Sequence, residues 1–420
     1  MRCAGARPVA IAVGLAVVVI ASLVGCAPQT GPPGGSKGGI LVEERGEPFR
    51  PLDIRLSGLE PNSTVTLSAE ATIDWIMHRS EAAFVANGVG EIDLSETAPV
   101  EGDWSVADPM APFWALAPEG TGVPSFGSLG ETYEVELTLS SADGEELAST
   151  VVTRGTQFEG LSIEPVDDDG LIGEFAAPAA AGVPGAEPRA AALVISGSEG
   201  GIGGARLVAR QLAAAGYPAL AVSYFGSPGQ PTSLAEIPLE PFLTAVEWLR
   251  ARPEVDPERV TPFGISRGGE VALWLASVHS DLVRGAIAPV GAGELWCGYP
   301  EWRRSAWTLA GSPTPCTIDP ADPVPASVLD LENVDGPLVL ACGTADTLWD
   351  SCRLMDRTLG RATSAGLDVT AITGDGASHF IATDPTQPAF AGTDAAADAA
   401  ARAEFWSAAI RALGPPTDGR

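Results

Sequence analysis

From about Ile163 onward the chain alternates short aliphatic runs with longer helical ones, and this alternation restricts the fold more than any other feature. AALVIS leads into ARLVARQLAAAG, PALAVSYF into LEPFLTAVEWLRA, and VTPFGIS into GGEVALWLAS. Strands that are apolar along their whole length need cover on both faces, and parallel sheets obtain it from their crossover helices. The pattern predicts a doubly wound, mostly parallel sheet, continued by VRGAIAPV, PLVLACG and VTAITG and closed by a helix near 399–413. The stretch from Trp296 to Asn333 is rich in Trp and Pro and fits neither period. It reads as an insertion over the strand ends, where lids and substrate pockets lie.

N-terminal to this region the period changes. Between Pro51 and Thr153, segments such as STVTLSAEATI and YEVELTLSSADGEELASTVVT alternate apolar and polar residues between Gly, Asn, Asp and Pro turns. That is the mark of strands with one buried face. An immunoglobulin-like β-sandwich domain is expected over residues 49–162, ahead of the α/β domain over 163–420. Residues 26–48 include PQTGPPGGSKGG, which cannot bury apolar surface and reads as a flexible linker. Residues 1–25 carry Arg2 and Arg7, an apolar stretch from Val9 to Val24 and small residues just before Cys26, the pattern of an export signal. Leu23-Val24-Gly25-Cys26 resembles a lipobox, so Cys26 is the expected lipidation site and the chain is expected outside the cytoplasm, held to the membrane by that lipid. A transmembrane anchor is the rival reading, for which the apolar run is short.

The formal net charge is -30, and so acidic a surface repels phosphate backbones and anionic headgroups. Nucleic acid is excluded as a partner on that ground, and a small-molecule substrate is expected instead. Beyond Cys26 the chain holds Cys297, Cys316, Cys342 and Cys352. In an oxidising compartment these make two disulfides, and of the three pairings open to them Cys297 with Cys316 and Cys342 with Cys352 closes the shortest loops. With no CxxC and only three histidines, a metal site is not expected.

Gly264-Ile265-Ser266-Arg267-Gly268 is a G-x-S-x-G sequence placed between a strand-like and a helix-like segment. Such a turn presents a serine oxygen above the sheet, with the backbone N–H of Arg267 free to hold an oxyanion. A serine needs an imidazole to take its proton. His78 falls in the sandwich and His279 at the end of the helix after Ser266, whereas His379 follows the strand-like VTAITG, where a catalytic base belongs. The orienting carboxylate comes from a late strand end before the histidine. Asp346 fits, ahead of Asp350 and Asp375. The second oxyanion donor is expected in the turn Gly197–Gly201, with the N–H groups of Ser198 and Glu199 as candidates. No cofactor is needed. GSEGGIGGAR lacks GK[ST], and Arg206 breaks its G-x-G-x-x-G, so a nucleotide cradle is not expected.

These segments together resemble a known family, the acyl-CoA thioesterases and bile acid-CoA:amino acid N-acyltransferases. The likeness rests on SGLEPNSTVTLSA, GVGEIDLSETAPVEGDW and DPMAPFWAL in the first part. In the second it rests on GSEGGIGGARLVARQLAAAGYPALAVSYF, PLEPFLTAVEWLRARPEV, FGISRGGE, GTADTLWDS and ASHFI. It implies an α/β-hydrolase domain behind a β-sandwich, with Ser266 as nucleophile, Asp346 as acid and His379 as base. A serine nucleophile in that family implies hydrolysis of an acyl-CoA thioester rather than acyl transfer to an amino acid. Export and acidity set another acyl ester, thioester or amide beside coenzyme A thioesters as an alternative, and an inactive exported binding protein on the same fold as a second one.

Overall fold

The structure is a computed structural model that describes residues 38–46, 49–119, 132–155, 158–168, 170–390 and 392–417. The segment read as an export signal, Cys26 and most of residues 26–48 lie outside the described residues. Among the described residues no helix is long and apolar enough to cross a membrane.

The sandwich and the α/β part differ in burial as their sequences require. Thr64–Ile73 buries every second residue, Val65, Leu67, Ala69, Ala71 and Ile73, against one core. That strand pairs with Ile76–Val85 and Tyr133–Ser141, and Tyr133–Ser141 pairs in turn with Glu146–Arg154. A second sheet of Gly39–Glu44, Leu52–Ser57 and Ile92–Asp93 faces the first, and Leu52, Ile54 and Leu56 join the same core. Gly39–Glu44 lies within residues 26–48, expected as flexible linker, but Ile40 and Val42 pack against that core and make it a strand. Alternation is thus the trace of two sheets that each show one face to water.

The α/β part is one eight-stranded sheet. Its strands are β1 (Leu161–Asp168), β2 (Leu171–Pro178), β3 (Arg189–Ile195), β4 (Ala219–Ser223), β5 (Val255–Gly264), β6 (Ala286–Pro289), β7 (Leu338–Gly343) and β8 (Val369–Gly374). They lie in the order β1-β2-β4-β3-β5-β6-β7-β8, with β1, β2 and β4 antiparallel in succession and the rest parallel. In β3 every residue from Ala190 to Ile195 is buried, because helices cover both faces. The helices are α1 (Gly203–Ala214), α2 (Glu240–Arg250), α3 (Arg267–Val278), α4 (Ser351–Ser364) and α5 (Ala395–Leu413). This is the doubly wound, mostly parallel sheet expected from the sequence.

Residues 296–333 form the insertion, with short strands Trp307–Leu309 and Ser312–Pro313 and a disulfide between Cys297 and Cys316. Trp307 is fully buried beside Tyr224 and Phe242. The sandwich also reaches the α/β part directly: Arg154 donates to Thr386 Oγ1 at 2.8 Å, and Ala389 N–H to the Trp114 carbonyl at 3.2 Å. Both contacts fall on the segment that follows His379.

Candidate active site

Strand β5 ends at Gly264, α3 begins at Arg267, and Ser266 between them sits at φ 55°, ψ −116°. That is the left-handed region, which a non-glycine residue occupies only when its surroundings force it. The forcing is visible in the flanking glycines. A Cβ on Gly264 would meet the Gly268 carbonyl oxygen at 2.1 Å, and one on Gly268 would meet the Ile195 carbonyl oxygen at 2.3 Å. Hydrogen bonds from Ile265 N–H to Ile195 and from Ser266 N–H to Pro289, at 2.9 and 3.1 Å, then pin the turn to β3 and β6. The Arg267 N–H, at the first position of α3, has no partner within its helix and is available to an oxyanion.

His379 follows β8, and its Nδ1 lies 2.7 Å from Asp346 Oδ2, with the Asp346 side chain almost fully buried. Asp346 lies just past β7. Its Oδ1 accepts from the Leu348 and Trp349 N–H groups at 2.9 and 3.2 Å, an Asx turn that leaves the other oxygen for the imidazole. Burial acts to raise its pKa, but the hydrogen bond and charge of His379 and the Leu348 N–H outweigh it and hold the carboxyl below its ordinary value. The Asp346 turn is bracketed by a disulfide between Cys342, in β7, and Cys352, in α4.

The rival residues have other tasks. Asp350 caps α4 and pairs with Arg353. Asp375 accepts from Thr344 Oγ1 at 3.3 Å. His78 is buried in the sandwich with Nδ1 3.0 Å from the Ile76 carbonyl, and burial lowers its pKa. His279 ends α3 and packs edge-on against Trp274. Among the described residues no cluster of three or more His, Cys, Asp or Glu is arranged to hold a metal ion.

Ser198 and Glu199 both border the cavity that Ser266 and His379 line, a space of about 370 Å³. Although Glu199 is exposed as a residue, its carboxylate is turned against Gly197 and Gly204. Desolvation pushes that carboxyl up, against the pull of the Glu199 and Gly197 N–H groups and of the His379 charge. The Glu199 N–H therefore faces its own carboxylate.

Three groups that shape the site carry no sequence motif. Buried Tyr224 donates through Oη toward the Ser196 and Gly197 carbonyls, at 2.9 and 2.6 Å, and so holds the start of the turn at Gly197–Gly201. The side chain next to Ser266, Arg267, is ion-paired with buried Glu270 and donates to the Cys297 carbonyl at 3.0 Å. Glu270 in turn accepts from Trp307 Nε1 at 2.7 Å, tying α3 to the insertion. Behind His379, Asp398 of α5 accepts from Ser378 N–H and Oγ at 2.7 and 2.9 Å, while Arg402, one turn on, donates to the Phe380 carbonyl at 3.1 Å. The one available signal was a pair of opposite charges four residues apart in an alanine-rich helix.

The strand order and the turn at Ser266 define an α/β hydrolase. Residues 50–168 match the family model described as acyl-CoA thioester hydrolase/BAAT N-terminal region, and residues 210–389 match the prolyl oligopeptidase family. Acyl-coenzyme A thioesterase 2, mitochondrial, of Rattus norvegicus is 30% identical over 57% of this chain and 54% of its own. Acyl-coenzyme A amino acid N-acyltransferase 2 of the same organism is 26% identical over 75% of this chain and 80% of its own. The chain thus spans about half the length of several curated relatives it matches. A solved bacterial heroin esterase overlaps at 20% identity and TM-score 0.44, covering 62% of this chain and 86% of that one. The resemblance to acyl-CoA thioesterases and amino acid N-acyltransferases stands on the matched N-terminal region and these relatives.

Proposed function

We propose that this chain is a serine hydrolase that cleaves an acyl thioester through an acyl-enzyme on Ser266. The observation that carries the reading is the 2.7 Å His379–Asp346 hydrogen bond on the wall of the cavity that also holds Ser266. Ser266, deprotonated by His379, attacks the acyl carbonyl; the N–H groups of Arg267 and of the turn at Ser198 and Glu199 hold the oxyanion. His379 then protonates the leaving thiolate and activates the water that cleaves the acyl-enzyme, while Asp346 keeps the imidazole in the required tautomer. The relatives named for acyl-CoA support a thioester as substrate.

A second reading, a non-CoA acyl ester or thioester, is favoured by charge. Among the described residues no Lys or Arg lines the cavity, Glu199 borders it, and the chain carries -30 overall. Coenzyme A's phosphates would meet no counter-charge there. The export pattern with Cys26, and the two disulfides, support a site outside the cytoplasm, where coenzyme A is not the expected thiol. The test is fluorophosphonate labelling of Ser266, followed by release of acid from acyl-CoA, N-acetylcysteamine thioesters and p-nitrophenyl esters of one acyl chain. Absence of labelling, with no release from any of the three, leaves a binding protein on a hydrolase fold.

A further inference from the structure

The cavity continues past the reacting groups along one face of α1. Gly204 lies at the nucleophile end beside the Glu199 carboxylate, and Leu207, Val208 and Gln211 follow on the same wall. The seven steps from Gly204 to Gln211 carry that wall about 10 Å along the helix axis. Gln387 also borders the cavity, standing between it and a smaller cleft that holds Arg154 and Thr386.

Both glutamines are buried, at 1% and 6% exposed, yet neither is satisfied. Gln211 Nε2 donates to Asp384 Oδ2 at 3.2 Å, while Asp384 Oδ1 accepts from Thr386 N–H and Oγ1 at 2.7 Å. This fixes the amide so that Gln211 Oε1 faces away from Asp384, and that oxygen has no hydrogen bond among the described residues. Nor has either polar atom of the Gln387 side chain. Three orphaned polar atoms on residues of a wall that also holds Leu207, Val208, Ile265, Phe380, Ala382 and Thr383 are a cost that a packed protein avoids unless a ligand group or an ordered water meets them.

We infer that Gln211 and Gln387 form a subsite for a neutral group that both donates and accepts hydrogen bonds, a hydroxyl or an amide, carried by the substrate at a distance from its reacting carbonyl. Gln211 Oε1 requires a donor, and Gln387 offers a donor and an acceptor together. A carboxylate or phosphate would meet the Gln211 oxygen as a second acceptor, with Asp384 behind it. The group has two sources, the far end of the acyl chain or the leaving thiol. This deepens the proposed reaction and rests on it for the identity of the cavity, but the subsite itself is testable by binding alone.

The full mature chain carrying Ser266→Ala is titrated by calorimetry with two pairs of ligands. Methyl decanoate against methyl ω-hydroxydecanoate probes the acyl end. The ethyl thioester of octanoate against its N-acetylcysteamine thioester probes the leaving group. One pair should show its polar member bound about tenfold tighter, and that pair names the source. Adding Gln387→Met, or separately Gln211→Met, should bring the ratio close to one, with thermal unfolding showing that each variant is folded. A ratio within roughly twofold in both pairs, a ratio unmoved by either substitution, or no binding of any probe overturns the inference. Hydrolysis of the same esters by the unsubstituted chain separates the two readings. Turnover without any polar preference sinks the subsite alone, and preference without turnover sinks the hydrolase alone.

Discussion

His379 and Asp346 stand 33 residues apart at the ends of neighbouring strands, and their side chains meet at 2.7 Å because β7 and β8 pair in parallel register. If the pair works as one unit with Ser266, its effects cannot add. Asp346→Asn should lower turnover on the order of a thousandfold by admitting the wrong tautomer, and His379→Ala about as much as Ser266→Ala. The double variant Asp346→Asn/His379→Ala should lose little more than the worse single one. Steady-state kinetics on one activated ester decide it, and losses that multiply would show Asp346 and His379 acting independently.

The positive φ of Ser266 stores strain, on the order of 1–3 kcal/mol for such a conformation. Ser266→Gly should therefore be more stable than Ser266→Ala by about 1 kcal/mol after the entropy of the unfolded glycine is counted, with both inactive. Denaturant unfolding of the two variants measures the difference. A glycine variant less stable than the alanine one would mean that the elbow is relaxed.

The disulfide between Cys342 and Cys352 closes the turn that presents Asp346. Replacing both cysteines by alanine should cost about 2–3 kcal/mol for so short a loop. It should also lower kcat roughly tenfold to a hundredfold well below the unfolding temperature, because a loosened carboxylate no longer fixes the imidazole. The comparison is the Cys297→Ala/Cys316→Ala variant, which leaves the acid turn closed. Equal kcat in the two variants would remove the acid turn's claim on the bond.

Asp346 is also the group whose pH behaviour has a definite sign. Its folded pKa lies below the value in the unfolded chain, near 3.9, so it adds stability above that value and loses it as pH falls through the folded one. The stability gap between the unsubstituted chain and Asp346→Asn should be full above about pH 4 and should shrink as pH falls further. Comparing two variants cancels the many other carboxylates. A gap that stays constant down to acid unfolding would show that Asp346 is not held ionised by His379.

What was legible in the sequence, and what was not, divides by the range of the physics. Burial on both faces makes a strand apolar throughout, so β3 and β7 announced themselves, and the close approach at Gly264 and Gly268 left glycines that mark the turn around Ser266. Contacts between remote segments leave no such trace. Tyr224 reads as one more apolar residue of a strand end, although its hydroxyl holds the turn at Gly197. Arg267 reads as the variable letter of a motif, although its side chain anchors the insertion. The Glu199 carboxylate was invisible as a neighbour of its own N–H, because only the folded turn brings the two together.

Asp398 and Arg402 extend this to His379 itself. Both are fully buried, and Asp398 accepts two hydrogen bonds from Ser378, the residue before His379. Asp398→Ala removes those acceptors and leaves Arg402 as a buried cation without its neighbour, which should cost about 3–5 kcal/mol. Arg402→Met alone should also destabilise, and the double variant should be better than the sum of the two, since neither charge is then left unpaired. The activity readout separates positioning from mere support. If Asp398 sets the place of His379, Asp398→Ala lowers kcat with KM little changed. Asp398→Asn, which keeps an acceptor for the Ser378 N–H, should then recover part of the loss. Should Asp398→Ala lose stability while its kcat on an activated ester stays at the unsubstituted level, Asp398 supports α5 only and has no part in aiming the imidazole.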